Sequence, residues 1–324
     1  MADVKLTFGC GWYDRIEPLR NKTVVPDGID LQIETIEDPR LLFDRLAKHG
    51  EFDLAELSMS EYVAMTAAET SPYMALPIWT SRAFRHSFIC INTQAGIKHP
   101  KDLEGRRIGV PLHTMSAAIW CRGVLRDEYG VDLSGVTWVE GAMEHAGSHG
   151  FVREHHLAAP TRITHNRSDK SLSDLLHEGE IDATLGALMP TNFGSSPNIA
   201  RLFANYRQVE IASYQKTGVH PIMHLVVIRK TTLEKHPWLV EPLMQAFATA
   251  KKQALERIFY TGALKCMLPM LHAEVDETRQ IFGDDPWPDG VEANMRTLDR
   301  LLTYMMEDGI ITRRPSMQEL FLTR

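Results

Sequence analysis

"SRAFRHSFICIN", residues 81–92, decides the fold. Phe88, Ile89, Cys90 and Ile91 form a short apolar run that closes on Asn92 and reads as a buried strand. Strands usually open on turn formers, yet this one opens on Arg82, Arg85 and His86 within five residues. A second long strand, in "GVHPIMHLVVIRK" (218–230), likewise begins beside a histidine, His224. Two strands that each start at a polar site, one early and one late, are what two lobes joined by crossing strands would need.

Working outward, strand and helix patterns alternate. "VKLTFGC" (4–10), "IDLQIETI" (29–36) and "FDLAELS" (52–58) read as strands. "PRLLFDRLAKHG" (39–50) and "SEYVAMTAAE" (60–69) read as helices, with Ser60 as a cap. Beyond residue 92, Arg107–Val110 is a strand and "HTMSAAIWCRGVLRDEYG" (113–130) an amphipathic helix with Thr114 or Ser116 near its cap. From residue 236 the chain is nearly all helix. Such β-α-β alternation implies parallel strands with crossover helices. The sequence has no repeat and no Ser/Gly tether, so the expected division is residues 1–92 with 222–324 as one discontinuous lobe and 93–221 as the other. The segment 141–170 breaks the rhythm: it is polar, holds five of the fourteen histidines, and reads as a long surface excursion.

The chain has 324 residues, 44% apolar and 24% charged, an ordinary globular composition whose length suits two lobes of about 130–170 residues each. A net charge of -7 argues against a nucleic-acid partner. No apolar run approaches the roughly 18 residues of a membrane span. "MADVKLTFGCGWYDR" runs straight into strand-like alternation rather than a basic–apolar leader, so a cytoplasmic location is expected. The four cysteines are scattered, without C-x-x-C, and read as free thiols.

The motifs "WYDR" (12–15), "FDLAELSMSEY" (52–62), "FRHSFICIN" (84–92), "DLEGRRIGVP" (102–111), "LSDLLHEGEIDA" (172–183), "GVHPIMHLVVIRK" (218–230), "HPW" (236–238) and "GDDPWPDGVEAN" (283–294) follow one another in order. In that order the chain resembles the 4,5-dihydroxyphthalate decarboxylase family, which shares its fold with type II periplasmic solute-binding proteins. "FRHS", "PIMH" and the "GDDPWPDGVEAN" phrase carry the decarboxylase resemblance, whereas "DLEGRRIGVP" and "LSDLLHEGEIDA" also suit ordinary binding proteins. Pro286 and Asp289 depart from that family's pattern. The resemblance implies an α/β, two-lobe, type II periplasmic-binding-protein-like fold, with two mixed sheets flanked by helices and a ligand cleft between the lobes. It also implies an aromatic dicarboxylate that loses one carboxyl as CO₂ and leaves protocatechuate. The rival is a solute-binding protein of the same fold that delivers an organic acid to an ABC transporter.

A phthalate-like substrate needs cations and helix N-termini for its carboxylates. The expected binding residues are Arg82, Arg85, Arg15, Tyr13, Ser58, Ser60, Thr114 and Ser116. CO₂ loss from an electron-rich ring needs a proton at the carbon that bears the carboxylate, a task for histidine near neutral pH. His86, His224 and His113 are the expected acid–base residues. No cofactor is expected, and a divalent metal on His86, His113 and His224 is the alternative. Asp284 and Asp285 beside Trp287 read as a proline-closed turn rather than a metal site. The partner is a small aromatic dicarboxylate, with self-association left open.

Overall fold

The computed structural model describes residues 3–150 and 161–322. The chain runs β1 (Val4–Cys10), α1 (Glu17–Arg20), β2 (Ile29–Thr35), α2 (Pro39–His49), β3 (Leu54–Ser58), α3 (Met59–Ala67) and β4 (Tyr73–Arg82), then crosses to the second lobe. There it forms β5 (Cys90–Asn92), β6 (Arg107–Val110), α4 (Ser116–Tyr129), β7 (Thr137–Glu140), β8 (Arg162–His165), α5 (Leu172–Glu178), β9 (Ala183–Thr184), β10 (Ile199–Arg201) and α6 (Tyr206–Thr217). It returns through β11 (Ile222–Arg229) and ends in α7 (Lys230–Lys235), α8 (Val240–Phe259), α9 (Leu271–Phe282), α10 (Met295–Glu307) and α11 (Met317–Leu320). No helix among the described residues is long and apolar enough to cross a membrane.

Two mixed sheets result, as expected. The first has the order β2-β1-β3-β11-β4, the second β10-β5-β9-β6-β7-β8. In the first, β1 pairs parallel with β2 and β3, while the returning β11 pairs antiparallel with β3 and β4. The apolar alternation of β2 buries one face at the sheet edge, whereas the central β3 is buried at every position. Helix α2 starts where Asp38 accepts a hydrogen bond from Arg40 N–H at 2.8 Å, with Pro39 in the first turn, where its missing N–H costs nothing.

Two expectations are corrected. The strand Cys90–Asn92, assigned to the first lobe, pairs with β9 and β10 in the second sheet, so the crossing lies earlier, around residues 83–89. Segment 141–170 is not all excursion: Arg162–His165 forms β8, parallel to β7 at the sheet edge. Its pattern of exposed and half-buried residues hides it, because an edge strand solvated on both faces has no apolar period.

Helix α4 binds the lobes together. Ala117, Ile119 and Trp120 enter the same apolar cluster as β11 and α10 of the first lobe, and Trp120 Nε1 donates to Ile222 O at 3.0 Å. Gly123 is required here, since a Cβ would lie 2.0 Å from the Tyr304 ring of α10. Beside it, Arg122 Nε donates to Asp308 Oδ2 at 2.8 Å in a fully buried pair, and Arg126 adds a second bond to the same carboxylate. The two crossings touch through Ala83 N–H to Pro221 O at 3.1 Å.

Candidate functional site

The carboxyl ends of β1 and β3 carry the first lobe's polar centre. Glu56 sits mid-strand in β3 with no solvent exposure. A buried carboxylate demands partners, and Glu56 has three. Its Oε1 accepts the Tyr13 O–H at 2.7 Å and bonds His224 Nδ1 at 2.7 Å, and its Oε2 accepts the Gly11 N–H at 2.9 Å. The antiparallel return of β11 sets His224 opposite Ser58, which brings its ring to Glu56 and edge-on to Phe43.

Burial alone would push the Glu56 carboxyl up. The bond and charge of His224, with the Gly11 and Tyr13 donors, outweigh burial and hold it below its ordinary value. Burial and the Glu56 charge push the Tyr13 phenol up, so Tyr13 stays a donor. An ionised Glu56 requires the proton of His224 on Nδ1. Nε2 makes no hydrogen bond among the described residues, and the His224 side chain is 19% exposed. A carboxylate-oriented imidazole with an open nitrogen can take or give a proton.

Next to this centre, hydroxyls from the two lobes meet at the N-termini of α3 and α4. Ser58 Oγ lies 3.1 Å from Ser116 Oγ and 3.3 Å from Ser60 Oγ. Ser60 N–H donates to Ser116 Oγ at 3.0 Å, and Ser60 Oγ donates to Thr114 O at 2.8 Å. Tyr13, Ser58, Ser60, Thr114, Ser116 and His224 are thus placed along one seam between the lobes. Neither helix uses its expected capping side chain: Ser58 and Met115 occupy the cap positions without a side-chain bond.

Of the remaining expected residues, Arg15 adjoins this centre through Tyr13, and the others lie elsewhere. Arg82 gives its fork to the main chain, Nη2 to His220 O at 2.8 Å in the returning crossing and Nη1 to Pro288 O at 3.4 Å. Arg15 is sandwiched between the Tyr13 and Trp287 rings at 4.3 and 4.5 Å and bonds Thr80 O. Arg85 and His86 are buried at the crossing against Phe88, Tyr129 and Phe203. His113 packs on Trp138, and Arg122 Nη2 donates to its carbonyl at 2.9 Å, which makes His113 part of the buried Arg122–Asp308 contact.

No three His, Cys, Asp or Glu side chains among the described residues group as metal ligands do. The three-histidine site is therefore not assembled. The turn at Asp284–Trp287 closes on the first lobe, with Asp285 on Lys251 at 2.8 Å and Trp287 Nε1 on Trp79 O at 2.7 Å. Of the excursion's histidines, His155 and His156 lie outside the described residues.

Sequence reading missed Glu56. Its signal was present in "FDLAELS": a lone carboxylate inside an otherwise apolar central strand has to be satisfied by something.

Comparison with known proteins places this arrangement in context. A 4,5-dihydroxyphthalate decarboxylase from Comamonas testosteroni is 36% identical over 324 residues, covering 99% of this chain and 97% of its own. One of the same name from Pseudomonas putida is 38% identical over 205 residues, covering 63% of this chain and 78% of its own. A family model described as NMT1/THI5 like matches residues 26–153. Among solved structures, the periplasmic sulfonate-binding protein SsuA from Methylobacillus flagellatus KT aligns with a TM-score of 0.53 at 13% identity, covering 99% of this chain and 92% of its own. The periplasmic aliphatic sulphonate binding protein SsuA from Escherichia coli aligns with a TM-score of 0.52 at 11% identity, covering 99% and 93%. At such identities these two speak to the fold, which is the two-lobe periplasmic-binding-protein-like one.

Proposed function

Because this chain belongs to the 4,5-dihydroxyphthalate decarboxylase family, we propose that it converts 4,5-dihydroxyphthalate to protocatechuate and CO₂, with His224 as the acid–base residue and Glu56 as the residue that positions it. The observation that carries the assignment is the Glu56–His224 bond of 2.7 Å beside an open Nε2. A protein that only binds an acid needs donors for the anion and has no use for a proton carrier held by a buried carboxylate.

The chemistry runs as follows. The hydroxyl para to the departing carboxylate enriches the carbon that bears it. His224 Nε2 delivers a proton to that carbon, and the imidazole is left neutral with Nδ1–H on Glu56. The C–C bond then breaks, CO₂ departs, and its bonding pair restores the aromatic ring. His224 regains a proton from solvent, so each turnover consumes one proton per CO₂ released. Glu56 orients the ring through Nδ1–H, and Tyr13 and Gly11 keep Glu56 from rotating away. Ser58, Ser60 and Ser116, with the amides that open α3 and α4, supply donors for the carboxylates once substrate replaces their mutual bonds.

The test is a chromatographic time course of purified protein with 4,5-dihydroxyphthalate, with and without a chelator. Protocatechuate formed at one rate in both supports the reading. A thermal shift without any product would assign the protein to solute binding instead.

A further inference from the structure

A cavity lies at the crossings, away from the Glu56–His224 centre. It encloses about 290 Å³ between the crossing segments, α4, α6 and α10. Its lining includes Phe84, Arg85, Trp120, Val124, Lys216 and Tyr304. Val124 is eight residues along α4 from Ser116, roughly 12 Å down the helix axis from the seam of hydroxyls.

Three cations, Arg85, Lys216 and Arg300, and two acids, Asp127 and Glu128, line this cavity. Arg85 is 7% exposed, and its only hydrogen bond among the described residues runs from Nε to Met223 Sδ at 3.2 Å. Neither Nη makes a hydrogen bond among the described residues, while the guanidinium lies 4.7 Å from the Phe88 ring centroid and within reach of the Glu210 charge. Two acids share the wall with their partners: Asp127 pairs with Arg300, and Glu128 accepts the Ser213 hydroxyl at 2.8 Å. Lys216 adds a second cation without an ion pair among the described residues. His86, 2% exposed, also lines the cavity, and neither of its ring nitrogens has a partner. Apart from Thr217, the remaining wall is aromatic or aliphatic.

We propose that this hinge cavity binds a small aromatic monocarboxylate, its carboxylate on Arg85 and Lys216 and its ring between Phe84, Trp120 and Tyr304. The wall is built from both crossings and from helices of both lobes, so the occupant fastens one lobe to the other. Its affinity is therefore coupled to lobe closure.

The experiment is a fluorine NMR titration of the full chain with 4-fluorobenzoate, run on wild type, Arg85→Met and Lys216→Glu. Lys216 is exposed, so Lys216→Glu keeps the fold even if Arg85→Met does not. The expected result is saturable binding by wild type at millimolar ligand or below. Lys216→Glu should weaken it roughly tenfold, the effect of losing one charge-assisted contact, and Arg85→Met should weaken it at least as much. Absence of binding by wild type, or wild-type affinity in Lys216→Glu, overturns the proposal. The readout is binding alone, so it stands or falls separately from the decarboxylation assay.

Discussion

Glu56→Gln keeps the shape of the side chain and removes its charge. Glu56 receives three donors, two at Oε1 and one at Oε2. An amide has one acceptor oxygen. If that oxygen faces Tyr13 and His224, the amide NH₂ confronts the Gly11 N–H, and an unpaired buried donor costs about 1–3 kcal/mol. If the amide turns, its NH₂ meets His224 and Nδ1 must accept, so the ring is neutral and cannot give up its Nε2 proton without becoming an imidazolate. Either way the imidazolium loses its buried counter-charge. Turnover should fall by roughly 10²–10⁴ in kcat, the range for a positioned acid–base group, with a much smaller change in KM. The pH dependence of stability separates charge from packing. The Glu56 carboxyl is held below its ordinary value, so its contribution is complete above the ordinary carboxylate range. That contribution is lost as pH falls through the lower folded value. The stability gap between wild type and variant should therefore be flat at neutral pH and narrow only in acid. Protocatechuate formation and urea unfolding, measured in parallel, read both effects. A folded Glu56→Gln protein with wild-type kcat would refute the reasoning.

Three further outcomes follow from the packing. Gly123→Ala places a methyl within 2.0 Å of the Tyr304 ring, so α4 and α10 must separate; a loss of about 1–3 kcal/mol in urea unfolding is expected, and Tyr304→Ala should recover part of it in the double variant. Asp308→Asn leaves Arg122 charged and buried between the lobes; a loss of about 3–5 kcal/mol is expected in the same assay, and Arg122→Met combined with Asp308→Leu should restore most of it. Burial holds His86 neutral, pulled down from 6.5 to about 4. The unfolded chain therefore binds a proton that the folded chain refuses between those values, and stability drops as pH falls through that window. The loss is about 2 kcal/mol near pH 5, and His86→Phe should flatten this part of the urea-midpoint profile.

Much of the architecture was legible because it rests on local pattern. The strands at residues 4–10, 29–35, 54–58, 107–110 and 222–229 announce themselves by apolar alternation or apolar runs between turn residues. The two crossings were marked by polar residues at strand mouths, since backbone between lobes must be satisfied by side chains from both. What those polar residues bond to is a long-range matter. Arg82 finds main-chain carbonyls 138 and 206 residues away, and nothing in its neighbourhood of sequence distinguishes that fate from a ligand's carboxylate. His224 was found because it begins a crossing, but its partner Glu56 lies 168 residues earlier and only the sheet order β3-β11 joins them. The grip of α4 on α10 was hidden for a related reason. The partners of Gly123 and Arg122, Tyr304 and Asp308, lie near the far end of the chain.

His224→Ala tests the central claim most directly: a binding fold becomes a decarboxylase through one carboxylate-held imidazole. The variant is mixed with 4,5-dihydroxyphthalate, and thermal shift and CO₂ release are recorded on the same sample. The account predicts that the substrate still stabilises the protein, because the hydroxyl seam is intact, while CO₂ release is lost. CO₂ release at the wild-type rate from the folded variant would contradict it.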